Sequence, residues 1–153
     1  MSSTHAEPDG LQRAHTIRSH PAIRAHRRDV ARWALANRRP CDRDALAAIV
    51  AVRNAFGPGW TDGAQRWTAE EIGRLLWVDL AGWCQDCEKE TPDGDRVAVT
   101  LDTYLRFLSA HRLIARGSDP VAALRRAISD YGGGRSPAHP SVRHALAAVV
   151  PIT

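Results

Sequence analysis

The spacing of apolar residues is the strongest constraint on the fold, because they recur every three or four positions in six segments of the chain. This is the repeat of an α-helix with one buried face, whereas a half-buried strand alternates at every second position. Proline and glycine interrupt the sequence between the segments. The pattern predicts an all-α protein, a compact single-domain bundle of about five to six helices with at most one short strand.

Local signals place the first two helices. Pro21 suits the first position of a helix, and the apolar pattern that follows it ends near Arg38, ahead of Pro40. Asp42 is a suitable N-cap for a second helix, which the glycines of segment 57–59 end. The expected apolar faces consist of Ile23, Val30, Trp33, Ala34 and Asn37 in the first helix and Leu46, Ile49, Val50 and Phe56 in the second.

The third helix has the clearest start signal in the chain. Thr68 and Glu71 fit a capping box, in which each side chain accepts a hydrogen bond from the other residue's backbone N–H. Trp77 lies off the main apolar line, so this helix is apolar on a second side, which indicates either a central helix or a partner surface. The main line consists of Ile72, Leu75, Leu76, Leu80 and Trp83.

The segment at 96–100, Arg-Val-Ala-Val-Thr, fits either a short strand or the lead-in to a helix. That helix is expected from about Leu101 to Ala115, with Gly117 ending it. Its inward residues would be Leu101, Tyr104, Leu105 and Leu108.

Asp119 and Pro120 have the residue types of a cap and a first position, and predict another helix with Leu124 and Ile128 inward. A last short helix is expected over about 141–150. Residues 1–19 are polar and show no period, which predicts a flexible basic and polar arm, so the helical domain would comprise residues 20–153.

Composition is ordinary for a globular protein: 153 residues, 44% hydrophobic and 25% charged. No apolar run approaches the ~18 residues that a membrane helix needs, and the polar N-terminus does not resemble a signal peptide. Three cysteines do not indicate a disulfide framework. We expect a cytoplasmic protein, with most of its five tryptophans in the core.

Charge is unevenly distributed along the chain. Residues 1–58 hold ten Arg against five acids, residues 59–103 four basic residues against ten acids, and residues 104–153 seven Arg against two acids. The net charges of these segments are therefore +5, −6 and +5. Clustered arginine is typical of proteins that neutralise phosphates, although a GC-rich genome also favours Arg over Lys.

Arg24, Arg28 and Arg32 repeat at every fourth position on the side of the first helix opposite its apolar face, and Arg27 lies at the edge of this stripe. A solvated helix face would show the same pattern. Arg125 and Arg126 lie off the apolar face of a later helix, which leaves them available for contacts. The leading hypothesis is a non-enzymatic protein that binds nucleic acid, and the predicted phosphate contacts are Arg24, Arg27, Arg28, Arg32, Arg125 and Arg126.

A protein interaction module is the main alternative. In that case the basic ends of one copy would meet the acidic middle of another copy or of a partner chain, giving self-association or an adaptor.

The segment Val-Asp-Leu-Ala-Gly-Trp-Cys-Gln-Asp-Cys, at 78–87, resembles the entrance to a thioredoxin active site. This resemblance implies a buried strand before Cys84 and a helix that begins at the Cys84–Cys87 pair, lowering the pKa of the first thiol. The residues themselves favour a helix before Cys84 and thiols that are not activated. The preceding segment has a capped helical pattern, and the acids at Asp86, Glu88 and Glu90 should raise the thiol pKa.

A zinc site is a second possibility for Cys84 and Cys87, with His139 and His144 as the other two ligands. The 51 residues between the two pairs far exceed the spacing of a zinc finger. We therefore expect the two cysteines to be small apolar residues at a helix end, and no cofactor is predicted.

The remaining histidines do not point to catalysis. His15, His20 and His26 are expected to be solvent-exposed beside the basic arm, and His111 could face a phosphate next to Arg112. The sequence has no phosphate-binding glycine loop before a helix, no nucleophile elbow and no His-Glu-x-x-His motif. An enzyme is therefore disfavoured.

Overall fold

The computed structural model describes residues 20–56, 64–86 and 92–131, and about three quarters of these residues are helical. Within these ranges the protein is all-α, which confirms the predicted fold class. The helices are α1 (Pro21–Ala36), α2 (Arg43–Phe56), α3 (Ala69–Arg74), a π-helical turn (Leu75–Asp79), α4 (Leu80–Asp86), α5 (Gly94–Ala110) and α6 (Val121–Tyr131).

Helix α1 begins as predicted, with Pro21 in its first turn and His20 as N-cap. The Nδ1 atom of His20 accepts a hydrogen bond from the backbone N–H of Ala22 at 3.2 Å. At the other end, Arg38 adopts the left-handed conformation with φ 54°, and the Arg39 N–H donates to the Ala34 carbonyl at 2.8 Å. These contacts form a Schellman-type C-terminus, with arginine in the position where glycine is usual.

Helix α2 is the most deeply buried element. An Asp42 carboxylate oxygen accepts from the Ala45 N–H at 2.9 Å, as expected of an N-cap. Every residue from Ala45 to Arg53 is buried, and α2 packs against α1, α4 and α5. A helix buried on all sides occupies the centre of a bundle.

The capping box at the start of α3 is confirmed. Thr68 Oγ1 accepts from the Glu71 N–H at 3.2 Å, and Glu71 Oε2 accepts from the Thr68 N–H at 3.1 Å. The helix continues through the π-helical turn into α4, and the extra residue in this turn shifts the buried face by one position. As a result Leu75 and Leu80 are both buried, although they are five positions apart, while Trp77 in the wider turn is only half-buried.

The strand alternative at 96–100 was wrong, because this segment lies within α5. Asp93 caps the helix, and the buried positions that follow keep helical spacing. The helix also ends earlier than predicted, at Ala110 instead of Ala115. Arg112 takes the left-handed conformation at φ 56°, and the Leu113 N–H donates to the Leu108 carbonyl at 2.7 Å. Arginine thus ends the helix before Gly117 is reached.

The segments before α3 and before α6 run side by side. Gln65 and Ile114 form an isolated parallel β-bridge, with the Ala115 N–H donating to the Gln65 carbonyl at 2.8 Å. Asp119 was predicted to cap α6, but its carboxylate instead accepts from the Ala69 N–H at 2.8 Å, at the start of α3. This arrangement ties α3 to α6, which pack against each other.

Tyr104 of α5 lies at the centre of the core and is fully buried. Its ring meets Trp67 edge-on, and its hydroxyl lies 3.0 Å from His26 Nε2. Trp67 and Trp83 are buried, as expected of core tryptophans.

The predicted arm at 1–19, Trp60 and the predicted helix at 141–150 lie outside the described residues. Along the described part of the chain, no helix combines the length and apolar character needed to cross a bilayer.

Candidate nucleic-acid interface

The arginine stripe of α1 is exposed because the opposite side of the helix is buried. Ile23, Val30 and Ala34 face the core at helical spacing. Arg24 and Arg28, a little over one turn apart, therefore point away from the core, and both are exposed, as is Arg32.

The first residue of α2, Arg43, places another guanidinium group beside this stripe. Arg43 joins Arg24, Arg27 and Arg28 around a surface depression of about 410 Å³, whose remaining lining residues are Ala31 and Leu46. Among the described residues, none that lines the depression carries a carboxylate. We call this cluster of Arg24, Arg27, Arg28 and Arg43 the arginine depression.

Three of the four guanidinium groups of the arginine depression lack a charge partner among the described residues. Within the described ranges, Arg24, Arg28 and Arg43 make no ion pair and no side-chain hydrogen bond. Sequence reasoning missed Arg43 because the start of α2 meets α1 only in the folded chain. Arg32, by contrast, was predicted as part of the stripe but does not line the depression.

Arg125 and Arg126 belong to a different surface, so the six predicted arginines do not form one site. They line a cleft of about 810 Å³ between α5 and α6, together with Arg39 and Arg106. The prediction that Arg125 is free was wrong, because its Nε–H donates to Asp102 Oδ1 at 2.8 Å. Arg126 is exposed.

Asp102 is held by two arginines. Arg106 Nε donates to its Oδ2 at 2.9 Å, while Arg125 occupies the other oxygen. Burial alone would raise the pKa of Asp102, but the hydrogen bonds from Arg106 and Arg125 outweigh it, so the pKa lies below its usual value. The carboxylate is therefore ionised at neutral pH and keeps both guanidinium groups in place.

An ion pair between a buried arginine and a half-buried glutamate joins α2 to α3. Arg53, only 5% exposed, lies 3.2 Å from Glu71 Oε2 and covers the ring of Trp67 at 4.1 Å from its centroid. Arg53 also donates to the Arg66 carbonyl. The acid comes from the middle segment of the chain and the arginine from its basic N-terminal part, so these opposite charges meet within one molecule.

The predicted exposure of His26 was wrong. His26 falls on the buried face of α1 and is 6% exposed, whereas His20, one residue before the helix, is exposed as predicted. His111 is exposed at the end of α5, with its ring 4.2 Å from that of Phe107. Its Nδ1 contacts the Phe107 carbonyl at 2.9 Å, which orients the ring along the helix end. His15 lies outside the described residues.

Cys84 is buried within α4, in the second half of a long helical segment. The strand implied by the thioredoxin resemblance does not occur, because Val78 and Asp79 are in the π-helical turn. Among the described residues no group of three or more His, Cys, Asp or Glu side chains is placed to hold a metal. Cys87, His139 and His144 lie outside the described ranges.

Comparisons with protein families, with curated proteins and with solved structures find no match for this chain. The functional proposals therefore rest on the geometry and charge described above.

Proposed function

We propose that this protein is a non-enzymatic, cytoplasmic nucleic-acid-binding protein that contacts phosphates through the arginine depression. The observation that carries the proposal is the convergence of four guanidinium groups on one concavity whose described lining holds no carboxylate. Such a surface attracts a polyanion and fits the phosphate-rich backbone of nucleic acid.

Guanidinium chemistry supports phosphate as the ligand. Each guanidinium presents N–H donors in a planar fork that matches two phosphate oxygens, and it stays charged at any physiological pH. Arg32 lies one turn beyond Arg28 along α1 and is exposed, so it extends the basic surface along the helix. A stripe of this kind follows a backbone and does not read base edges, so we expect binding with little sequence preference.

The internal ion pairs favour nucleic acid over the interaction module. Glu71 and Asp102 of the acidic middle segment already pair with arginines of the same chain. They are thus less available to the basic ends of a second copy. The arginines of the depression have no comparable pairing in the described part of the chain, apart from the contacts of Arg27.

The test is a salt titration of binding to random duplex and single-stranded DNA and RNA, measured by fluorescence anisotropy. In a triple variant of the depression, affinity should fall for all sequences, and the slope of log K against log salt should shrink by about 0.9 per lost duplex phosphate contact. A matched variant removes three exposed arginines elsewhere and should keep most of the slope. The depression variant is Arg24→Gln, Arg28→Gln and Arg43→Gln, and the control is Arg66→Gln, Arg112→Gln and Arg116→Gln.

Glutamine keeps helix propensity, so circular dichroism should show the same helix content in both variants. Equal loss of affinity in the two variants would mean that only net charge matters and would refute a defined site. No binding by the wild type at low salt would end the nucleic-acid proposal. A dimer seen by size exclusion in that case would favour the interaction module.

A further inference from the structure

The cleft between α5 and α6 differs in chemistry from the arginine depression. Five of its lining residues are apolar: Pro40, Ala98, Val99, Ala122 and Ile128. Val99 is 44% exposed and is one of only two large hydrophobic residues that are exposed among the described residues. An exposed valine in the lining of a concave surface indicates a contact site for an apolar group.

Arginines line the same cleft. Arg39, Arg106, Arg125 and Arg126 stand against two acids, Asp95 and Asp102. Asp102 uses the Nε–H of Arg106 and of Arg125, so the terminal N–H groups of both guanidiniums are left as donors. Arg39 and Arg126 make no ion pair within the described ranges. The described lining is therefore net positive, and Asp102 fixes two of its four guanidinium groups.

One wall of the cleft is fixed by hydrogen bonds between separate parts of the chain. Thr103 Oγ1 donates to the Pro40 carbonyl at 2.7 Å, and the Arg39 N–H donates to the Ala34 carbonyl. These contacts hold the α1–α2 connection against α5. A preformed wall lowers the entropy cost of binding.

We propose that this cleft binds an acidic segment of a partner protein that carries apolar side chains among its carboxylates. The apolar side chains would contact the exposed Val99 and Ala122, while the carboxylates would meet the exposed guanidinium groups of Arg39 and Arg126. A phosphate backbone fits this surface less well, because it offers no apolar group to the exposed Val99 side chain. The proposal is independent of nucleic-acid binding, since no arginine of the depression lines the cleft.

The probe is a fluorescein-labelled amphipathic peptide with Leu at helical spacing and Glu at the other positions, measured by fluorescence anisotropy against the full chain. Replacing its Leu by Ser, or its Glu by Gln, should abolish most of the binding. Arg39→Gln with Arg126→Gln should weaken binding about tenfold, because two charge pairs are lost. Val99→Thr preserves shape and should weaken binding about three- to fivefold through the lost apolar contact.

The matched control for this site is Arg24→Gln with Arg28→Gln, which removes the same charge from α1 and should leave peptide affinity within about twofold. No binding of the Leu and Glu peptide by the wild type would overturn the proposal. Equal binding of the peptide that lacks Leu, or an unchanged affinity in Val99→Thr, would reduce the contact to general charge attraction and overturn it as well. Displacement of the peptide by random duplex DNA would assign the cleft to a continuous nucleic-acid surface instead.

Discussion

Acid should destabilise this fold through one buried imidazole. His26 Nε2 lies 3.0 Å from the Tyr104 hydroxyl, and its ring meets Tyr104 and Phe107 edge-on at 5.6 Å between centroids. Burial lowers the pKa of His26 to about 4. The negative charge of Asp29 acts in the opposite direction, whereas the nearby His111 lowers the pKa of His26 further. The folded protein therefore holds this imidazole neutral over a range in which the unfolded chain protonates it.

The sign and size of the effect follow from the two pKa values. Between pH about 6.5 and about 4 the unfolded state binds the extra proton, so the free energy of unfolding falls as the pH falls. One pKa unit corresponds to about 1.36 kcal/mol, so the loss between pH 7 and pH 5 is about 2 kcal/mol. Most carboxylates remain ionised over that interval, which separates the effect of His26 from general acid denaturation.

Urea denaturation followed by tryptophan fluorescence at pH 7, 6 and 5 measures the slope. His26→Gln should flatten it, because glutamine retains a hydrogen-bonding group for Tyr104 but does not titrate. The exposed His20→Gln should keep it. A wild-type stability that is constant over this range, or a slope that persists in His26→Gln, would refute the assignment, whatever the absolute stability of the variants.

Three further changes test the packing and the turns by urea denaturation. Arg53→Met should lower the free energy of unfolding by about 3 kcal/mol, because Glu71 loses its buried partner and the ring of Trp67 loses the guanidinium above it. A decrease of less than about 1 kcal/mol would contradict this expectation. Gly117→Ala should cost about 1 kcal/mol, since φ is +87° there although a Cβ atom would have open space around it. Arg112→Gly should instead stabilise the protein by about 0.5–1 kcal/mol, because it relieves a left-handed residue at the end of α5; a destabilised variant would show that the Arg112 side chain makes a stabilising contact.

The helices were predictable where their signals are local. Pro21, Asp42 and the pair Thr68 and Glu71 mark helix starts within a few residues of sequence, and all three starts are found. Predicted ends failed where the chain departs from the common residue choice, as at Arg112, which takes the conformation that usually selects glycine. When the end of a helix is predicted at the wrong residue, the loop that follows the helix is placed wrongly as well.

Pairings between distant segments were not predictable from one sequence. The contact of Asp119 with the start of α3 spans 50 residues, and the contact of Asp102 with Arg125 spans 23. Periodicity identifies the side of a helix that is buried but not the element that covers it. For that reason the stripe on α1 was found, while the contribution of Arg43 was not.

The separation of charge along the chain has a different meaning once the fold is known. Two acids of the middle segment are paired in the fold, because Glu71 lies against Arg53 and Asp102 lies between Arg106 and Arg125. These pairs join the middle segment to each of the two basic segments, so part of the opposite charge is neutralised within one molecule. Among the described residues, exposed arginines without an ion pair occur at both concavities: Arg24, Arg28 and Arg43 at the arginine depression, and Arg39 and Arg126 at the cleft. The two concavities differ in chemistry, since the described lining of the arginine depression holds no carboxylate, whereas that of the cleft combines arginines with apolar residues.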